Sequence, residues 1–117
     1  MKNTVSLKEN HVFRRLYAKG KSAVAPTMVV YCRKNGRKEN RLGLTTGVKL
    51  GNAVCRNRVR RRLREVYRLA EDRLAVGYDI VIVARVRAVF CRYQELEQQF
   101  TRLAKKLELL RSPEEKP

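Results

Sequence analysis

The spacing of apolar residues changes several times along this chain, and each change marks an element. Val12, Phe13, Leu16 and Tyr17 recur at helical intervals. Ser6 and Glu9 stand at the separation of a capping box, in which each side chain satisfies a free backbone donor near the other. Together they predict a first helix over about Leu7–Lys19, closed by Gly20 just past its last turn. Ala23–Arg33 follows, with Pro26 near its start, and its stretch Thr27–Arg33 is rich in β-branched and aromatic residues. Alternation puts Thr27, Val29, Tyr31 and Arg33 on one face and the drier set Met28, Val30 and Cys32 on the other, toward the core. Lys34–Asn40 is a polar connector with a turn signal at Asn35-Gly36, and Arg41–Val48 reads as a strand returning to complete a hairpin.

Asn52 is placed to cap a long helix from Ala53 to about Ala75, with Val59, Leu63, Val66, Tyr67, Ala70 and Leu74 in one stripe. After Gly77, Asp79–Arg85 is almost continuously apolar, as expected of an interior strand covered on both faces. Leu96, Phe100, Leu103 and Leu107 predict a last helix over Tyr93–Leu110, and Ser112–Pro117 is a short polar tail. No internal repeat or linker interrupts the 117 residues, so one domain is expected, with an ordered core over about residues 6–110. Helices alternating with strands around one unbroken apolar strand predict an α/β sandwich.

Composition adds a partner to this picture. Hydrophobic residues make up 44% of the chain, enough for a folded core, yet the formal net charge is +17. Repulsion at that level opposes compaction, so a counter-charged partner is implied. Eighteen arginines against ten lysines favour planar, two-pronged recognition of phosphate. Cys32, Cys55 and Cys91 include no CxxC pair and the single histidine is His11, so neither a zinc cluster nor a disulfide framework is expected. Buried thiols in a reducing cytoplasm are the expectation instead. No stretch is apolar enough to span a bilayer or to act as an export signal, so a cytoplasmic protein without a membrane partner is expected.

The thirteen residues from Arg56 to Arg68 include seven arginines. On a helical wheel Asn57, Arg60, Arg61, Arg64 and Arg68 gather away from the apolar stripe. Arg56 and Arg58 lie near the helix start, where free N–H groups and the helix dipole also favour anions. A solvated charged face is the plainer reading, but Glu65, Glu71 and Asp72 are too few to pair seven cations. Arg60 with Arg64, and Arg64 with Arg68, stand four apart and repel in an isolated helix. Nucleic-acid phosphate relieves that repulsion, with an affinity that falls steeply as salt rises. Composition does not separate RNA from DNA.

Gly51-Asn52-Ala53-Val54-Cys55-Arg56-Asn57-Arg58, continued by Arg61-Arg62-Leu63-Arg64-Glu65, resembles the GNAVxRNR signature and basic continuation of the bacterial ribonuclease P protein family. The likeness extends in order and spacing to Phe13, Tyr17 and Gly20, to Val29-Val30-Tyr31, to Arg41-Leu42-Gly43-Leu44 and to Ile80–Arg85. The resemblance implies a single-domain α/β sandwich in roughly the order αβββαβα, with a left-handed βαβ crossover, against the usual hand of such connections. It also implies one subunit of a ribonucleoprotein endonuclease that removes the 5′ leader from precursor tRNA. In that family the RNA subunit performs the hydrolysis with bound magnesium, so the protein is expected to hold no cofactor of its own, and no metal ligand is assigned. By the same resemblance Arg56, Asn57, Arg58, Arg60, Arg61, Arg64, Arg68 and Lys49 are candidate contacts to ribonuclease P RNA. Phe13, Tyr17, Val29 and Tyr31 are the candidate lining of a cleft for the single-stranded leader.

The residues themselves go part of the way to that cleft. Val29 and Tyr31 share the wetter strand face, Phe13 and Tyr17 point the same way from their helix, and aromatics beside cations suit sequence-tolerant stacking of bases. Read without the resemblance, Phe13 packs helix on sheet, and Tyr17 and Tyr31 stay open between packing and stacking. The resemblance implies binding for both tyrosines. Just before the signature the family usually reads SVSKKxGNAV, whereas Thr45-Thr46-Gly47-Val48-Lys49-Leu50-Gly51-Asn52 has Val48 in place of the first lysine and keeps Lys49 alone.

Catalysis by the polypeptide would need clustered carboxylates or an acid–base pair. Many of the 11 acids lie in the C-terminal helix and tail, and His11 has no partner at a suggestive spacing. The protein is therefore expected to assist, by neutralising phosphate and holding the leader. A ribosomal or other architectural RNA-binding protein shares the charge, size and class, but needs no aromatic cleft. A DNA-binding regulator needs base-reading side chains, and in the arginine helix only Asn57 qualifies.

Overall fold

The structure, a computed structural model, describes residues 2–111. Thr4–Ser6 (β1) leads to Asn10–Lys19 (α1), followed by Lys21–Val24 (β2), Met28–Lys34 (β3) and Asn40–Thr45 (β4). Ala53–Ala70 (α2) then precedes Tyr78–Ala84 (β5), the short helix Arg87–Phe90 (α3) and Tyr93–Lys106 (α4). The strands form one mixed sheet in the order β1-β4-β5-β3-β2, in which β1, β4 and β5 are parallel while β3 is antiparallel to both β5 and β2. α2 joins the parallel neighbours β4 and β5 and is thus the helix of a βαβ unit.

Strand alternation divides the core in two. Met28, Val30, Cys32, Leu42, Ile80 and Ile82 face the layer of α2 and α4, where Leu63, Tyr67, Leu96, Phe100 and Leu103 meet them. Val81 points the other way, against Leu7, Val12 and Leu16 beneath α1. β5 is therefore covered on both faces, as its unbroken apolar run predicts.

The hairpin predicted between the two middle strands does not form. The connector does turn, with Gly36 at φ +70°, but β5 pairs with β3 on one side and β4 on the other and so separates them. A turn signal reverses the chain without choosing its hydrogen-bonding partner, and the most apolar strand takes the central slot. The hairpin that does form is β2–β3, because Pro26 breaks Ala23–Arg33 in two. Thr27 falls in that break and is wholly buried, its backbone N–H and hydroxyl donating to Gln99 Oε1 at 3.0 and 2.5 Å.

Element ends also move. Ser6 belongs to β1, drawn into parallel pairing with Leu42, so it caps nothing; α1 starts after Glu9, with no side-chain cap. Gly20 has φ −75°, and its small size serves a close approach instead, since a Cβ there would lie 2.7 Å from the Leu16 carbonyl oxygen. α2 stops at Ala70 and tightens into a 3₁₀ turn over Glu71–Arg73, yet Leu74 is still buried as the stripe requires. α4 ends at Lys106, and Leu110 instead bridges Leu74 as extended chain. Of the thiols Cys32 is buried, whereas Cys55 and Cys91 are only half-buried. The Ser112–Pro117 tail lies outside the described residues.

A buried polar network ties β1 to the end of α2. Tyr67, wholly buried, holds its hydroxyl 2.8 Å from Thr4 Oγ1, and Asn40 donates to it at 3.4 Å and to the Ala75 carbonyl at 2.9 Å. Glu71 accepts from the backbone N–H groups of Lys2 and Asn3 at 2.9 and 3.2 Å. Burial pushes the Glu71 carboxyl up, but the Thr4 hydroxyl and those two N–H donors outweigh it and hold it below its usual range. A depressed native pKa contributes stability that is present above the unfolded pKa and lost as pH falls through the native one. Glu71→Gln should therefore cost about 1–2 kcal/mol at neutral pH. In urea melts across pH, the gap between the two proteins should stay constant above the ordinary carboxylate range and close as pH falls below it.

Candidate nucleic-acid interface

Local chemistry sets the start of α2. Gly51 sits at φ +130°, in the region that favours glycine, and turns the chain out of a 3₁₀ turn over Val48–Leu50. Asn52 Oδ1 then accepts from the Cys55 backbone N–H at 2.9 Å, the N-cap bond that this residue type supplies. From there Val59, Leu63, Val66, Tyr67 and Ala70 are buried, which commits the opposite side of the helix to solvent.

On that outer side Asn57, Arg58, Arg61, Arg64 and Arg68 are exposed. Arg58, Arg61 and Arg64 make no ion pair among the described residues. Arg60 is half-buried, donating from Nη2 to Thr46 Oγ1 at 2.7 Å and from Nη1 to Asn57 Oδ1 at 2.9 Å. A shallow groove runs along Val54, Asn57, Arg60, Arg61 and Arg64. Arg60 and Arg64 also form one wall of a second groove, of about 240 Å³, whose far side carries Thr4, Ser6, Lys8 and Phe13.

Not every expected cation joins this surface equally. Arg68 is engaged by Glu65, with Nε–Oε2 at 3.0 Å, and the hydrogen bond from Arg68 holds the exposed Glu65 carboxyl below its usual range. Arg56 is half-buried, and its Nε is enclosed without an acceptor among the described residues. Lys49 is exposed in the turn before the helix, beside Val48, which is 77% exposed and offers an isopropyl group at that point of the surface. Arg62 turns from the face to the carbonyl oxygens of Cys91 and Ala88, at 2.8 and 3.4 Å, and so closes the end of α3. Its position at the border of the apolar stripe was the sequence signal for that.

The other face of the sheet is only partly covered by α1. Phe13 packs over Gly43, where a Cβ would lie 2.6 Å from its ring carbons, so this aromatic is half-buried against the sheet. Tyr17, one turn on, is 43% exposed. It stands edge-on to Tyr31, with centroids 4.9 Å apart and planes at 73°, and its hydroxyl is 3.3 Å from Thr45 Oγ1. Beyond it the row Val24, Val29, Val83 and Thr45 runs across four strands, none of the four buried. The result is a cleft with an apolar floor and two tyrosines at its side. Val83, Val24 and Thr45 were missing from the expected lining because only the pairing register brings them beside Val29.

Among the described residues no three of His, Cys, Asp and Glu come together as potential metal ligands. No helix among them is long and apolar enough to cross a membrane.

The sequence pattern and the fold both occur in known proteins. The Ribonuclease P family model matches residues 1–108. The ribonuclease P protein component of Natranaerobius thermophilus is 43% identical over 110 residues, covering 94% of this chain and 96% of that protein. That of Alkaliphilus oremlandii is 40% identical over 112 residues, covering 96% and 98%. Among solved structures, the Staphylococcus aureus RNase P protein superposes with a TM-score of 0.82 at 30% identity, over 91% of this chain and 97% of that one. The Thermotoga maritima RNase P protein gives 0.78 at 28% identity, over 86% and 96%. With its signature at the start of α2, its mixed sheet and these likenesses along most of its length, the chain belongs to the ribonuclease P protein family.

Proposed function

We propose that this protein is the RNA-binding subunit of a ribonuclease P holoenzyme, docking on the catalytic RNA through α2 and holding the 5′ leader of precursor tRNA in the cleft beside α1. One observation carries the reading: a helix face on which Arg58, Arg61 and Arg64 make no ion pair among the described residues lies on the same small domain as an open cleft with exposed Tyr17. Phosphate neutralisation by Arg58, Arg61 and Arg64 supplies affinity, and their three unpaired charges set its dependence on salt. Stacking on Tyr17 and apolar contact along Val29 and Val83 suit a strand of any sequence, because every base has an aromatic face.

The protein's part in the reaction is then positional. It orients the substrate relative to the RNA and screens the repulsion between two polyanions, which lowers the magnesium concentration needed for assembly. Magnesium would be held through RNA phosphates, where it supplies the chemistry of hydrolysis. Three free cysteines suit a reducing compartment, and we place the protein in the cytoplasm on that ground. An architectural RNA binder would need the arginine face alone; the exposed Tyr17 with its hydroxyl held at Thr45 favours the subunit reading.

Precursor tRNA cleavage by a bacterial ribonuclease P RNA at low magnesium is the test. Adding this protein should restore cleavage at the mature 5′ end; binding without stimulation would favour the architectural reading. Arg61→Ala with Arg64→Ala should weaken assembly with the RNA and reduce the slope of log affinity against log salt by about one to two. Tyr17→Ala should leave assembly intact and weaken binding of leader-bearing substrate by about 1–2 kcal/mol. Filter binding with and without a leader separates the two effects.

A further inference from the structure

Thr46 makes a contact that the reading above does not use. It follows Thr45 at the end of β4, and the two hydroxyls go to opposite sides of the sheet: Thr45 to Tyr17 in the cleft, Thr46 to Arg60 on α2. Thr46 is 9% exposed, so its hydroxyl is a nearly buried acceptor contributed by a different element from the arginine it holds. Asn57 takes the other terminal nitrogen from within the helix. The Arg60 guanidinium is thereby fixed from two directions, whereas Arg58, Arg61 and Arg64 have no side-chain acceptor among the described residues.

A guanidinium has five N–H donors, so two hydrogen bonds leave the rest of its fork for a ligand. Arg60 also lines both grooves on this side of the molecule, the one along Val54 and Arg61 and the one toward Thr4, Ser6 and Lys8. We infer that Thr46 and Asn57 are positioning residues, which hold Arg60 in advance for a backbone phosphate of the RNA where the two grooves meet. This rests on the RNA-binding reading above. The physical gain is preorganisation: a long side chain already ordered in the free protein loses little rotamer freedom on binding, while its charge is unchanged.

Charge and position leave different signatures, and the full chain binding to a bacterial ribonuclease P RNA across a salt series distinguishes them. Arg60→Gln should lower both the affinity and the salt slope, the latter by about 0.7–0.9. Thr46→Val, nearly isosteric, should lower affinity about fivefold with the slope kept, because the cation is still there. Thr46→Ser restores the hydroxyl and should bind like the wild type. In the Arg60→Gln background Thr46→Val should have no further effect, which a merely structural threonine would not show. Arg60→Lys leaves Thr46 untouched and tests the same idea without altering β4; it should keep the slope and lose affinity as Thr46→Val does. Wild-type affinity in Thr46→Val, an unchanged affinity in Arg60→Lys, or a Thr46→Val loss that persists without Arg60 overturns the positioning role. Absence of salt-dependent binding by the wild type would instead overturn the RNA-binding reading itself.

Discussion

Burial of β5 on both faces is the constraint on which the rest of the structure depends. Ile80, Val81 and Ile82 have no exposed surface, and each such side chain contributes about 1.5–3 kcal/mol when fully buried. Two helical layers are needed to cover them: α2 with α4 on the side of Ile80 and Ile82, α1 on the side of Val81. Because β4 and β5 are parallel neighbours, the chain between them must cross the sheet, and α2 is that crossover. Its apolar stripe is committed inward, so its arginines can only face out. The cationic surface is thus a consequence of how an apolar strand is buried.

Four acids among the described residues already have donors of their own. Asp79 is nearly buried and accepts two hydrogen bonds of 2.7 Å from Arg41 and one of 3.0 Å from Asn35, so its charge is matched within the sheet. Glu71 is occupied by backbone donors near the N-terminus, Glu95 by Arg87, and Glu65 by Arg68. Arg58, Arg61 and Arg64 are left without an ion pair among the described residues. Repulsion on this face weakens the isolated helix. The buried stripe with Leu63 and Tyr67 at its centre outweighs it, and a polyanionic partner removes it.

Much of the candidate site was legible beforehand, since side-chain direction on a regular helix follows from spacing alone. Asn57, Arg60, Arg61 and Arg64 come together as the wheel requires, and Met28, Val30 and Cys32 take the core face of β3. What spacing does not reveal is the partner across an element boundary. Arg62 meets the carbonyls at the end of α3 and Arg60 meets Thr46, so two arginines of one helix acquire different tasks. The cleft shows the same limit: Tyr17 and Tyr31 were visible as aromatics, but Val83 and Val24 join them only through strand register.

By itself the sequence determined the class of the fold, the identity of its central strand, the inward and outward faces of α2 and the sign of its partner. These depend on periodicity and composition, which are properties of neighbouring residues. Only the tertiary structure decided that β5 separates β3 from β4, that β1 pairs with β4 and so displaces the start of α1, and that Thr46 reaches Arg60. Each of those is a contact between residues distant in the chain or on different elements. It is selected by which surfaces bury one another best, and no local pattern encodes that choice.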